Sequence, residues 1–588
     1  MKNLVVMLLI TLVTLKMSAQ ESQVMVPLEA QVKHSNIIVE GKVLSISSYV
    51  DSTDGHIYTT NTIEVYKSFK GTPDALINIT TRGGVVGLEA EIISSSTKLI
   101  VGDIGIFMVN KIENKMEIYS ASQGFYKYDL VDNTTTNYML GKDNITNIID
   151  KLKSHTKTDY IELSDFKLKD INQLPKIANQ KAILSFDKST VVGGVQEIIT
   201  ITGSDFGELT GYVAFQYNGT HAESYVRAIN SHILSWTDTE IKVEVPYSAG
   251  TGKIRVTKVD NNGAVVSSYI SNDILTVTYS IINILYGGDN GVNYDRPTQL
   301  YNDNGVNGYT ITPQEDFYAH DGAINSLIRA MDNWRCNIGV NWVLDSPSLV
   351  NEVVKDGVNI VRFDIGDELP FGSLGETISY YLGCTNSEGD IVWNLVEFDI
   401  TLDDDSGWYF GTGDTGIAWD FESVMLHELG HVIQLQHVRD ESPYKLNGND
   451  VMIYNIQVAE YQRVLHPNNI LAGQAVMNKY TIIYICIISP MISDFSGCTL
   501  SDNNPMLDYN KRVRIGKNPI QSELTIISGD YKLESIIIYD IHGKIVKSKT
   551  FNVNSSRYLI NVETLSNGIY VVLVKTSESM LTFKVLKN

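Results

Sequence analysis

Apolar and polar positions alternate with a period of two through most of this chain, and the departures from that rhythm mark its other elements. Short apolar runs at Asn36 to Val43, Thr60 to Tyr66 and Leu99 to Val109 are separated by glycine turns such as Arg82-Gly83-Gly84. They predict a β-rich N-terminal domain over residues 20–165. Residues 181–280 repeat the pattern, with Ile241 to Val245 and Lys253 to Val256 as the clearest strands, and predict a β-sandwich. Beyond residue 281 the period changes. Ala323, Ile324, Leu327, Ile328, Met331 and Trp334 fall on one stripe of a helix from about Gly322 to Arg335. Strands follow at Val340 to Leu344 and Ile360 to Ile365, then at Val396 to Leu402 ahead of an acidic turn, Asp403 to Asp405. A second helix starts near Asp420, a good N-cap, with Glu422 in the first turn where the helix dipole favours an anion. The α+β segment therefore spans about 281–500, and a last β module over 511–588 carries strands at Glu523 to Ile527, Leu533 to Tyr539, Lys544 to Val546 and Gly568 to Val574.

Two longer apolar runs need separate treatment. Leu4 to Leu15, after Lys2 and before the small residues Ser18 and Ala19, reads as a signal peptide over residues 1–19. Tyr480 to Ile492 is interrupted by Cys486 and Pro490 and is too short to span a bilayer, so it is expected in a core and no stable membrane insertion is expected. An exported chain permits disulfides among Cys336, Cys384, Cys486 and Cys498. Local pairing of Cys336 with Cys384 and of Cys486 with Cys498 is the simplest of three connectivities, and four unpaired buried thiols stay open beside it. With 46 basic against 68 acidic residues the net charge of −22 repels phosphate backbones, which argues against a nucleic-acid partner.

The second helix holds the candidate chemistry, His427-Glu-Leu-Gly-His431-Val-Ile-Gln-Leu-Gln-His437. Histidines at i and i+4 project from one helical face, so two imidazoles can bind one zinc ion. Glu428 stands beside them, placed to take a proton from a zinc-bound water and pass it to a leaving amine. A third nitrogen from His437 requires the helix to stop and the chain to swing back. Three protein ligands leave a fourth position for water, as catalytic zinc needs. The acidic turn Asp403 to Asp405 is a candidate calcium loop, with a solvated loop as the plainer reading.

Three resemblances add to this. The phrases Ile201-Thr-Gly-Ser-Asp-Phe-Gly207, Ser235 to Val243 and Gly250 to Val256 resemble the immunoglobulin-like TIG (IPT) domain, a fold that names no function. HExxHxxGxxH with a following methionine turn is the metzincin signature, and Asp420 to His431 is similar to matrixins. That resemblance implies an α+β zinc peptidase domain over 281–500, Met452 as the floor beneath the ligands, and Val396 to Leu402 as the edge strand that aligns substrate. It also draws attention to Tyr454, where other metzincin branches keep a tyrosine near zinc, though a packed tyrosine fits equally. Gln434 stands where the family has glycine, which puts the sharp turn before His437 in question. No cysteine precedes Cys336, so a thiolate from an upstream propeptide is excluded as a latency device; the N-terminal domain is either a propeptide or a spacer. Finally, Lys517-Asn-Pro519, Ile538 to Val546, Leu565 to Tyr570 and Phe583 to Lys587 resemble the C-terminal sorting domain of the type IX secretion system. That implies this machinery as a partner and a secreted or cell-surface destination. The resulting expectation is a multidomain, exported zinc endopeptidase acting on proteins or peptides. The rival is a surface adhesion protein with an inactive peptidase-like domain.

Overall fold

The computed structural model describes residues 19–20, 23–112, 114–137, 140–164, 184–218, 225–263, 265–287, 293–305, 308–366, 368–385, 391–438, 450–453, 458–479, 491–495, 498, 514–515, 520–527, 532–540, 544–551, 555, 557–576 and 580–588. The signal peptide, Cys486, Tyr454, Lys517 to Pro519 and most of Tyr480 to Ile492 lie outside them. Two compact units divide the chain, residues 1–496 and 497–588.

The larger unit begins with a small barrel. Strands β1 (Ile37–Val50), β2 (Ile57–Lys70) and β3 (Leu76–Arg82) form a meander. After a hairpin, β4 (Gly84–Val86) and β5 (Glu89–Ile93), strand β6 (Ile104–Ile112) returns beside β1. Strand β7 (Lys115–Ile118) pairs with both β6 and β3 and closes the ring. Val39, Ile63, Ile79, Phe107 and Val109 fill the interior, whereas Ile38, Ile106 and Met108 face outward against helices Leu28–His34 and Ile145–Thr156. Both faces of β6 are thus covered, which is why its sequence reads as a continuous apolar run. The expected all-β domain is mostly β with two packed helices.

Residues 184–280 form a sandwich of two four-stranded sheets, Ser185–Phe186 to Ile233–Trp236 and Tyr225–Arg227 to Val265–Ile270, around Ile199, Ile201, Val213, Phe215, Ile241, Val243 and Val256. The next layer is a mixed sheet with three helices of twelve residues or more among the described residues, the last of them Pro467–Lys479. In chain order it uses β8 (Tyr309–Pro313), α1 (Asp321–Ile338), β9 (Trp342–Leu344), β10 (Asn359–Phe363), β11 (Gly375–Thr385), β12 (Ile391–Leu402) and α2 (Phe421–Val432). The strand order is β9-β8-β10-β12-β11-β5-β4, so the hairpin that leaves the barrel completes this sheet.

That order corrects one expectation. Val396 to Leu402 lies in β12, between β10 and β11, and is not an edge. Its alternating polar positions look solvated in sequence but are buried. Glu397 accepts from the backbone N–H of Asp356 (2.8 Å) and Gly357 (2.7 Å), and Asp399 from Ile360 (3.1 Å). Carboxylates that satisfy backbone amides thus mimic the outward face of an edge strand. The outermost strand of the α+β segment itself is β11, and β5 covers it.

Residues 514–588 of the smaller unit form a second sandwich, one sheet running Arg514–Ile515, Glu523–Ile527, Arg557–Asn561 and the other Ile545–Thr550, Leu533–Tyr539, Gly568–Thr576, Met580–Lys587. Its core is Leu524, Ile526, Ile536, Ile538, Ile560, Val572 and Val574. Among the described residues no helix is long and apolar enough to cross a membrane.

His56 pins the hairpin from the barrel side. Its Nδ1 lies 2.9 Å from Glu91 Oε1 on β5 and its Nε2 lies 2.8 Å from the Val353 carbonyl, so both nitrogens face acceptors and the protonated ring satisfies both. Burial opposes that charge, but the Glu91 hydrogen bond and charge offset it and the pKa sits above 6.5. A folded pKa above the unfolded one gives stabilisation that is full below pH 6.5 and lost as pH rises through the folded value. Native-state amide exchange of β5, corrected for intrinsic rate, is expected to accelerate across that window; in His56→Ala the pH dependence disappears.

Candidate metal centre

Helix α2 starts at a firm cap. The Asp420 side chain accepts from the Ser423 amide (2.9 Å), and Arg463 Nε lies 3.1 and 2.9 Å from its two oxygens. Asp420 is fully buried, so this ion pair fixes the helix start from the far side of the chain. Trp334 of α1 donates to the Leu426 carbonyl (2.9 Å) and sets the helix against its neighbour.

The helix ends in a left-handed turn. The Gln434 amide bonds the His431 carbonyl (2.9 Å) and the Leu435 amide bonds Gly430 (3.0 Å), the paired pattern of a Schellman stop. Gln434 has φ of +71°, so it adopts the conformation glycine takes most easily. It holds that geometry because it is fully buried, its side chain donates to the Val432 carbonyl (2.7 Å) and its own carbonyl accepts from Ile282 (2.8 Å). The following residues are bridged on both sides, Leu435 to Ile281 and Val438 to Ile453. His437 is carried back to the helix between those two bridges.

The result is a triangle of imidazole nitrogens. His427 Nε2 is 3.1 Å from His431 Nε2 and 3.2 Å from His437 Nε2, and the last pair is 3.1 Å apart. His427 Nδ1 donates to the Val451 carbonyl (2.7 Å) and His431 Nδ1 to that of Leu435 (2.9 Å), so their Nε2 atoms present lone pairs. Burial lowers the His427 pKa to about 4 and, with the neighbouring His427, that of His431 to about 3; burial holds His437 well below its ordinary value too. Lone pairs of neutral rings at this distance repel unless a cation lies among them. Nitrogens bound to one tetrahedral zinc at about 2.0–2.1 Å lie about 3.3 Å apart, so the three rings fit such an ion.

Glu428 is 1% exposed. Its Oε2 accepts from Thr377 Oγ1 of β11 (2.7 Å) and lies 3.5 Å from Ser94 Oγ, and a Cβ at Gly375 would stand 3.2 Å from Oε1. Met452 sits beneath the helix: a Cβ on Gly430 would meet its sulfur at 2.2 Å, so a larger residue between the two histidines would displace the Met452 side chain. Asp450 Oδ1 accepts from the Met452 amide (3.0 Å) and holds this turn, the same turn whose Val451 carbonyl orients His427. Thr377, Gly375 and Ser94 lie far from the motif in sequence, and no local signal could have named them. Gly430 and the buried partner of Asp420 carried only weak ones.

Asp364, Asp403 and Asp404 place one oxygen each within 4.8 Å of one another. Burial, together with the two neighbouring carboxylates, pushes Asp364 up to about 6. Asp403 accepts from Ser406 and Asp364 from the Asp404 amide, so the turn is self-contained, and Asp405 is outside the cluster. Cys336, Cys384 and Cys498 are each disulfide-bonded, which removes the thiol alternative for these three.

Two parts of the chain match known families: residues 182–279 the IPT/TIG domain, and residues 518–588 the secretion system C-terminal sorting domain. The latter marks the protein for export by the type IX system to the cell surface or beyond. No curated protein matches the chain. Among solved structures, a protein from Bacteroides vulgatus ATCC 8482 described as DNA binding is similar at 11% identity and TM-score 0.14, covering 33% of this chain and 71% of its own. The BSP domain of a biofilm associated protein is similar at 10% identity and TM-score 0.13, covering 94% and 81%. Similarities this slight carry no argument about fold or activity.

Asp420→Ala removes both the cap and the carboxylate that pairs with Arg463, leaving a largely buried cation without its counter-charge. It is expected to lower stability by about 3–5 kcal/mol, read as denaturant midpoint at unchanged slope. Asp420→Asn, which keeps the cap oxygen, should lose less.

Proposed function

We propose that this exported protein is a zinc endopeptidase of metzincin type that hydrolyses extracellular proteins or peptides. The observation that carries the reading is the convergence of three buried, neutral Nε2 atoms within 3.1–3.2 Å beside the Glu428 carboxylate. His427, His431 and His437 would hold the ion, and the backbone carbonyls behind the first two fix the ring faces that meet it. Zinc there supplies Lewis acidity toward a peptide carbonyl and toward water. Glu428 takes the proton of the attacking water and delivers it to the departing amine. Thr377 orients that carboxylate through Oε2, and Met452 and Gly430 keep the helix seated under the ligands. Tyr454 would add support to the developing oxyanion if it reaches the site.

A purely adhesive role has no use for the general base, though the immunoglobulin-like domain suits it. The test is elemental analysis of the purified full chain together with cleavage of an unfolded protein, wild type against Glu428→Ala. One zinc per chain in both, with turnover lower by about 10²–10⁴-fold in the variant, supports the mechanism. A chain without metal sinks it and favours the adhesin. Zinc without turnover in the wild type indicates a covered site.

A further inference from the structure

The peptidase reading requires an extended substrate to reach Glu428, and the structure has a segment of the chain itself in that place. Strand β11, outermost on its side of the strands of the α+β segment, passes the carboxylate through Thr377. Strand β5 pairs with it antiparallel over five positions, from Ile378 opposite Ile93 to Leu382 opposite Glu89. The chain then continues along the edge. The Ser94 amide donates to the Thr377 carbonyl (3.0 Å), the Thr377 amide donates to Ser94 Oγ (3.0 Å), and that hydroxyl faces Glu428 at 3.5 Å. Glu428 is 1% exposed and the three histidines 4–6%, so the site is closed to a substrate carbonyl in this arrangement, with Ser94 standing against the carboxylate.

We infer that the hairpin Gly84–Ile93 with Ser94 is an internal occupant of the peptide-binding edge, holding the site latent in the register an extended peptide substrate takes once it leaves. The inference rests on the peptidase reading and adds its regulation. Strand addition suits an occupant that must be exchanged, because backbone pairing accepts any extended chain and the side chains set only the preference. The ties that hold the hairpin are largely polar and separable. Arg82 Nη1 lies 2.7 and 2.9 Å from the Glu376 oxygens, Ser95 donates to the same carboxylate, and Lys355 lies 3.4 Å from Glu89. Ala90, Ile93, Val85 and Ile92 supply the apolar contacts. The glycine pair before the hairpin permits the departure from the barrel: Gly83 and Gly84 have φ of +84° and +147°, and a Cβ on Gly84 would meet Ser48 and Thr59 at 2.4 Å. The position nearest Glu428 is a serine, so a small side chain is expected in the substrate residue beside the scissile bond.

The test uses full-length chains in two directions. Arg82→Ala with Ser95→Ala leaves Glu376 without these two partners and favours release. Glu89→Cys with Leu382→Cys joins two exposed residues that face each other in register, and oxidation locks the hairpin in place. Each is also made with Glu428→Ala, and binding of a labelled synthetic peptide of the sequence Gly87–Ser96 is read by fluorescence anisotropy. Peptide affinity about tenfold tighter in the released chain, and absent in the oxidised chain but restored by mild reduction, is the expected result. Single-cysteine chains give the baseline for the reductant. With Glu428 intact, cleavage should rise in the released chain and fall in the locked one. Equal binding in all chains, or no binding in the released chain that keeps native circular dichroism, overturns the inference. Correct peptide behaviour with neither zinc nor cleavage sinks the peptidase reading and leaves the occupied edge standing.

Discussion

The triangle of imidazoles depends on helix α2 stopping at Val432, one residue after His431. One further turn of helix would carry His437 away from the other two rings. The stop is made by a residue that disfavours it. A non-glycine residue in the left-handed region costs about 1–2 kcal/mol, and Gln434 meets that cost with a buried side-chain bond to Val432 and a backbone bond from Ile282. Ile281 and Ile282 follow directly on the immunoglobulin-like domain, so the segment that enters the α+β part also clamps the turn that delivers the third ligand. The segment that leaves the immunoglobulin-like domain is therefore tied to the turn that carries His437.

Burial around the rings has two consequences that reinforce one another. It keeps all three imidazoles neutral, with His427 near 4 and His431 near 3, so they remain ligands rather than cations throughout neutral pH. It also leaves their Nε2 lone pairs without water, so the free energy of an ion placed among them is not reduced by competing solvent. A structural zinc site would close the fourth position with a further side chain. Here two hydroxyls from outside the motif stand against Glu428, Thr377 Oγ1 at 2.7 Å and Ser94 Oγ at 3.5 Å.

Legibility followed distance along the chain. His427, Glu428, His431, the Asp420 cap and the Met452 turn are local patterns, and the structure brings them together; the helix stripe from Ala323 to Trp334 is likewise the buried face of α1. The sorting and immunoglobulin-like segments were legible for the same reason, since their turns recur at fixed spacing. The edge strand was not. In β12 the alternation that suggests a half-solvated strand comes from Glu397 and Asp399, buried carboxylates that accept from the loop amides of Asp356 and Gly357 and the β10 amide of Ile360, a use of carboxylates that period-two patterning cannot separate from exposure. Thr377, Ser94 and Arg82 were invisible because each gains its role only through contacts with residues 51 to 334 positions away.

The same pairing bears on why the N-terminal barrel exists in this chain at all. A spacer needs only a compact shape, and the ring β1-β2-β3-β7-β6 already has one, closed and filled without the hairpin. The hairpin is an excursion between β3 and β6 whose own residues, Ala90 foremost, join the core of the other sheet. An insertion of that kind lowers the stability of the barrel by the entropy of closing a longer loop and returns it only where β11 is met. An unpaired β11 beside a reactive centre would be an aggregation-prone edge, and covering it with a detachable strand both protects the edge and excludes substrate. Protection and latency are then one contact, and whatever loosens the Arg82–Glu376 and His56–Glu91 ties acts on both.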